Sequence, residues 1–442
     1  MIPDHNADVF LPPVEEVKYN CFDKMVHFVF DGFKRWDAVY FTHISEFGYT
    51  YENCIAFFPL FPILVYLFAN IFSCVGIINF NSWILVSSIF VNNVIFILTA
   101  LLFFQFGKRE LKNSPVAYYA AVLFCFNPAS IFMSAPYSET LYFFFLILAL
   151  SALRDNAFYA ASFLIALSVL CRSNGLVGIG FVLHAIGCDF IKNVTELNSS
   201  HKRVSQLQKL ISYVMCLNKT ILKAILCFII SSFSFFAYQF YIFKLFCTPF
   251  NKYVPEYLLH YGRYRGYKIV GDLPSSWCNN SLPFSYSYIQ NHHWGVGLLK
   301  YYEFKQIPNF ILALPVILLV LKSCWHIGKA NKKYFWHLGL GNNCLSVEYV
   351  LRDDVKTLSD DEDDVHENAD NNNSNIKKLT INECNPQLIV HVIHLLALTL
   401  FGCLFVHIQV SFFWKIYIYL YILIVEITRK KIFFSIIANK LD

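Results

Sequence analysis

Charge is scarce in this chain. Only 15% of its 442 residues are Asp, Glu, Lys or Arg, whereas a soluble domain carries about a quarter, so a soluble multidomain architecture is excluded. The net charge of +5 is spread over loops and leaves no basic patch, which removes nucleic acid as a partner. Cys-x-x-Cys spacing is absent although the chain has 14 cysteines. Several of them, including Cys125, Cys171, Cys227, Cys324 and Cys403, lie inside apolar runs as small hydrophobes, so no metal site is indicated. The pair His292-His293 lacks a third ligand at zinc spacing. Internal repeats with interrupted helices, the mark of many transporters, are also missing.

What the chain has is apolar surface: 57% hydrophobic residues, 18% aromatic and a mean hydropathy of +0.48. Runs of about 20 apolar residues, enough to cross a hydrocarbon core, recur along it. The fold class is therefore an all-α polytopic membrane protein of about nine or ten helices. Spans are expected near 83–106, 116–134, 137–153, 157–172, 174–190, 221–246, 307–327, 388–410 and 413–437. The stretch 57–78 opens with Phe57-Phe58-Pro59-Leu60-Phe61-Pro62, so it reads as a helix that either crosses or lies along the interface.

Short cytoplasmic loops carry excess Lys and Arg. Loop 107–115 holds Lys108, Arg109 and Lys112, and loop 191–220 holds five basic residues, so both are assigned to the cytosol. Alternation then puts residues 1–56, Pro136–Glu139, Arg172–Gly175 and the long segment 247–306 on the other side, a lumen. Segment 328–387 is cytosolic and contains an acidic, Asn-rich stretch, 353–375, too polar to bury a core. Residues 388–437 return to membrane helices.

Ionisable residues at a membrane edge are costly and tend to mark a site. On the luminal side they are Asp37, Glu46, Glu52, Glu139, Arg172, His292, His293, Lys300 and Lys305. Each has a structural alternative: Asp37 as a helix N-cap, Glu139 in a first helical turn, Arg172 snorkelling to the interface, and the aromatics as belt anchors. Cys247 and Cys278 share the luminal segment and could bridge there. Acceptor sequons place a topological test at Asn193, Asn198 and Asn218, which should stay bare, and at Asn279, which could carry glycan.

Several segments together resemble the PIG-V family, the second mannosyltransferases of glycosylphosphatidylinositol (GPI) assembly. They are Trp36-Asp37-Ala38, Gly48-Tyr49-x-Tyr51-Glu52, Ala56-Phe57-Phe58-Pro59-x-Phe61-Pro62, Tyr137-Ser138-Glu139, Arg172-Ser173-Asn174-Gly175, Tyr286–Gln290 and Leu299–Glu303. The likeness runs in order from Ile2 to about Gln409. It implies a GT-C type helix bundle in the endoplasmic reticulum membrane, with its active site in luminal loops. The implied reaction takes mannose from dolichol phosphate mannose, without a further cofactor, and adds it in α-1,6 linkage to a lipid-linked GPI precursor. The resemblance also leaves room for a small accessory membrane subunit of the kind some fungal relatives use.

A β-linked donor giving an α-linked product requires inversion, hence one general base. The phosphate leaving group needs positive charge more than a second carboxylic acid. Asp37, at the family's Trp-Asp position, is the expected base, with Glu52 in reserve. Arg172, Lys300 and Lys305 are expected at the phosphate, and Trp36, Tyr137, Glu139, Asn174 and Tyr301 at the substrates. Compared with the family, the chain is expected to begin inside the first luminal loop, without the preceding membrane helix, and its tail is expected to diverge after Gln409. A non-catalytic subunit of a GPI-assembly complex and a membrane transporter are the alternatives.

Overall fold

The computed structural model describes residues 10–13, 19–126, 129–199, 205–249, 252–272, 274–300, 302–330, a few positions up to 340, and 388–405. Its elements are helices. Among the described residues the only strand-like pairing is one antiparallel bridge, Tyr51 with Ile269. The acidic stretch 353–375, the last expected span and Tyr301 lie outside the described residues.

Helix α1 (Cys21–Phe30) starts at a capping box, with Asn20 and Asp23 each accepting the other's backbone N–H. The same Asp23 is fully buried and accepts from Asn79 and Ser82, which ties α1 to the start of the long helix that opens at Phe80. Helix α2 (Asp37–Phe47) ends at Gly48, whose φ of +67° suits glycine. Helix α3 (Leu60–Ser73) has 14 residues, about 21 Å, short of the roughly 20 residues a crossing needs. It packs along α4 (Phe80–Leu111), a 32-residue helix closed by Lys108 and Arg109, basic residues that complement its dipole.

After α5 (Ser114–Cys125), capped by Asn113, and the single turn α6 (Ile131–Ser134), the bundle centre is built by α7 (Glu139–Arg154), α8 (Phe158–Cys171), α9 (Ile179–Ser199) and α10 (Gln206–Cys247). Helices α7 and α8 form a hairpin, and α8 packs on α10. Serines let the last two approach: Ser231 donates to the Ser162 carbonyl at 3.3 Å and Ser234 to that of Ala166 at 2.9 Å. Beyond lie α11 (Glu256–Tyr264), α12 (Ser285–His292), α13 (Ile307–Ala330) and α14 (Leu388–Phe405).

Among the described residues three helices are long and apolar enough to cross a membrane, those covering Phe80–Leu111, Ser173–Ser199 and Gln206–Cys247, or four where the bent pair within 307–329 is counted as one span. This is a multi-pass helical protein, with fewer full-length spans among the described residues than the nine or ten expected. Segment 191–220 also differs from the loop expected there. Helix α10 begins at Gln206 behind a Ser205–Gln208 capping box, because Leu207, Leu210 and Ile211 continue the helical period into the basic stretch.

The two ends of the bundle are chemically distinct. Arg154 pairs with Glu110 at 3.4 Å and Arg109 with Asp155 at 3.6 Å, so the turns after α4 and α7 share one end. The opposite end gathers Glu139, Arg172, the α2 segment and the long segment after α10.

Candidate active site

The turn before α2 sets the site. Trp36 has φ +49° and ψ −121°, a conformation disfavoured for a residue with a side chain. Strain of this kind persists only where neighbours impose it, and here three do. The Tyr137 hydroxyl donates to the Arg35 carbonyl at 2.9 Å. The Trp36 ring stacks on Phe132, and Ala38 packs on Ala135 and Tyr137. Asn92, midway along α4, donates to the carbonyls of Ala135 and Tyr137 and so fixes that partner loop.

Asp37 is therefore delivered to the first helical position, with Trp36 as the N-cap residue. No side-chain cap hydrogen bond forms there, so the expected alternative of a capping carboxylate is not what the geometry shows. Burial pushes the Asp37 carboxyl above its usual range, and the Arg172 guanidinium partly offsets this. Among the described residues no hydrogen bond or ion pair engages this carboxylate, so it is positioned without being consumed by structural bonds.

Arg172 meets Glu139 at 2.5 Å, joining the end of α8 to the start of α7. The sharp reversal after Arg172 depends on Gly175: a Cβ there would lie 2.5 Å from the Val169 backbone nitrogen. Ser173 shares a 2.6 Å hydrogen bond with the Tyr286 hydroxyl. Gln239 on α10 accepts from Ser285 at 2.8 Å, so α12 is docked from both sides. Asn174 lies in the same reversal, half-buried.

Glu52 behaves differently from Asp37. Its Oε1 accepts from the Trp277 indole at 2.9 Å and its Oε2 faces His293 Nε2 at 3.3 Å. Burial alone would raise this carboxyl, but His293, Ser275 and Trp277 outweigh it and hold it below its usual value. The Ser275 hydroxyl points toward the carboxylate without meeting full hydrogen-bond geometry. Around it, Glu52 N–H bonds the Lys268 carbonyl, Val270 N–H that of Thr50, and the Tyr51 hydroxyl that of Leu258. Glu52 thus latches the first segment to the long one. Cys247 and Cys278 are disulfide-bonded, stapling that long segment to the end of α10.

Lys300 is exposed and bonds Asn291, and the side chain of Lys305 lies outside the described residues. The structure brings together Trp36, Asp37, Tyr137, Glu139, Arg172 and Asn174. Asn92 and Trp277 organise this region without having been singled out from the sequence, and Tyr286 had entered only as part of a segment that carries the family resemblance. For Asn92 the signal was present: an Asn-Asn pair inside an apolar run is costly unless it bonds something.

A family model described as Mannosyltransferase (PIG-V) matches residues 1–431. The chain belongs to the PIG-V mannosyltransferase family. The match continues past Gln409, where the resemblance was expected to end. GPI alpha-1,6-mannosyltransferase 2 of Cricetulus griseus is 34% identical over 413 residues, 93% of this chain and 75% of its own length. Its Homo sapiens counterpart is 32% identical over 412 residues with the same coverage. GPI mannosyltransferase 2 of Drosophila pseudoobscura pseudoobscura is 33% identical over 376 residues, 80% of this chain and 79% of its own length. No solved structure matches. As a PIG-V member the protein is a membrane glycosyltransferase, so the transporter alternative falls away.

Proposed function

We propose that the chain transfers mannose from dolichol phosphate mannose to a lipid-linked GPI precursor, making an α-1,6 bond with inversion at the luminal face of the endoplasmic reticulum. The observation that carries this reading is the Asp37 carboxyl, which tops α2 with no capping bond and feels the charge of Arg172, itself paired with Glu139. Such a carboxylate can accept the proton of an acceptor hydroxyl as that oxygen attacks the anomeric carbon. The departing phosphate takes the bonding electrons and leaves as an anion. Arg172 is the cation whose charge acts on Asp37, and its planar guanidinium can contact an anion while pairing with Glu139. The names of the relatives support the acceptor, and the Cys247–Cys278 bridge supports an oxidising compartment.

The test is transfer of labelled mannose to GPI precursor in membranes of cells lacking the endogenous activity. The full chain should restore transfer, and Asp37→Asn at equal abundance should reduce it by about two to four orders of magnitude. Unchanged transfer by Asp37→Asn would remove Asp37 as the base.

A further inference from the structure

A cavity of about 870 Å³ lies between the C-terminal end of α2, α3, α8 and α10, near the top of the ~300–1,000 Å³ range of ligand pockets. Its wall is mostly apolar, with Ile63, Phe163, Leu167, Ile230 and Phe233 among the lining residues. Ile63, Phe163 and Phe233 are at least half exposed, so the cavity opens sideways onto a surface that a multi-pass protein turns to lipid.

One rim is formed by Glu46, Gly48 and Tyr49. Beside it stands Lys252, which donates to the Phe47 carbonyl at 2.6 Å, and its Nζ would lie 2.9 Å from a Cβ on Gly48. An ammonium carries three donors, and among the described residues no carboxylate lies within ion-pair distance of this one. The neighbouring Glu46 carboxylate is engaged by Asn81 at 2.7 Å. A greasy slot with a half-buried, chemically unsaturated cation at its mouth matches a lipid with an anionic head.

Spacing along α2 discriminates between the two lipid substrates. Asp37 is the first residue of this 11-residue helix and Phe47, which holds Lys252, is the last, so the two sites are about 15 Å apart along its axis. In the donor the phosphate is bonded directly to the sugar being transferred, so it must sit at the Asp37 end. In the acceptor the phosphodiester is separated from the attacking hydroxyl by the inositol ring and at least the first mannose. We infer that the cavity holds a hydrocarbon chain of the lipid-linked acceptor, with Lys252 contacting its phosphodiester. This rests on the function proposed above and names the subsite for one of its two substrates.

The test is native mass spectrometry of the detergent-purified full chain, with phosphatidylinositol and a polyprenyl phosphate as competing probes. Lys252→Gln and the cavity-filling Ala237→Trp should each lower bound phosphatidylinositol about tenfold or more. Polyprenyl phosphate should bind as before, and Lys252→Arg should retain phosphatidylinositol. Lys252→Gln with an unchanged melting midpoint decides the matter should Ala237→Trp fail to fold. Undiminished phosphatidylinositol overturns the inference. Loss of polyprenyl phosphate instead also overturns it and hands the cavity to the donor. The readout needs no turnover, so its failure is distinct from failure of the proposed reaction, which would appear as absent mannosyl transfer by the unaltered chain.

Discussion

Arg172 Nη1 lies 2.5 Å from Glu139 Oε1, and the same guanidinium also acts on Asp37, so one cation offsets the charge of two acids. The pair ties the end of α8 to the start of α7, and Glu139 is only 7% exposed. Its Oε2 is buried without a hydrogen bond, which leaves the acid dependent on Arg172. Replacing Arg172 by Gln strands that acid and should destabilise the detergent-purified protein by about 3–5 kcal/mol. The double variant Arg172→Gln/Glu139→Gln should recover part of the loss in a melting experiment. Independent, additive losses would mean the two side chains are not coupled.

The pH profile tests the base. Burial raises Asp37 and Arg172 opposes that rise. Only the carboxylate accepts a proton, so kcat should be full above the raised pKa and fall as pH drops through it. That acid limb should lie above the ~3.9 of a free aspartate. Arg172→Gln, assayed at a temperature where it stays folded, should move the limb to still higher pH. A limb that stays put or moves down would show that another group titrates.

Helix existence was legible from apolar periodicity, as the agreement for α4, α7 and α8 shows, because burying a helical face needs only local pattern. Helix extent was less so at α10, which continues 15 residues before the expected span, since amphipathic turns carry charge yet remain helical. Asp37, Glu139 and Arg172 could be picked out because charge is costly at a membrane edge. What the sequence did not display was how acids divide their labour. Asp37 and Glu52 look alike in one dimension, and only Trp277 and His293, more than 200 residues away, make Glu52 a brace.

That brace has its own prediction. Trp277→Phe removes the donor to Glu52 inside a buried contact and should cost about 1–3 kcal/mol of stability. Because the folded pKa of Glu52 is net lowered, the stability it contributes is present above the ~4.3 of a free glutamate and is lost as pH falls through the folded value. Glu52→Gln should therefore flatten the acid side of the stability curve and change kcat less than Asp37→Asn does. A large loss of kcat in Glu52→Gln with unchanged melting would instead make Glu52 the base.

The staple beside that brace links Cys247 at the end of α10 to Cys278, next to Trp277, closing a separation of 31 residues. A loop of that length should be worth about 3–4 kcal/mol in the chain-entropy account, so Cys247→Ser or added reductant should lower the melting midpoint and Glu52–Trp277 should loosen with it. The adjacent Asn279 is exposed and begins Asn279-Asn280-Ser281, on the same end of the bundle as Asp37. Glycan should be found on Asn279 and not on Asn193, Asn198 or Asn218 when the full chain is expressed in eukaryotic cells and probed with endoglycosidase. Because Asn193 lies toward the far end of α9 from Arg172, modification there would invert the bundle and carry Asp37, Arg172 and the disulfide to the cytosol, where neither the bridge nor the proposed luminal reaction fits.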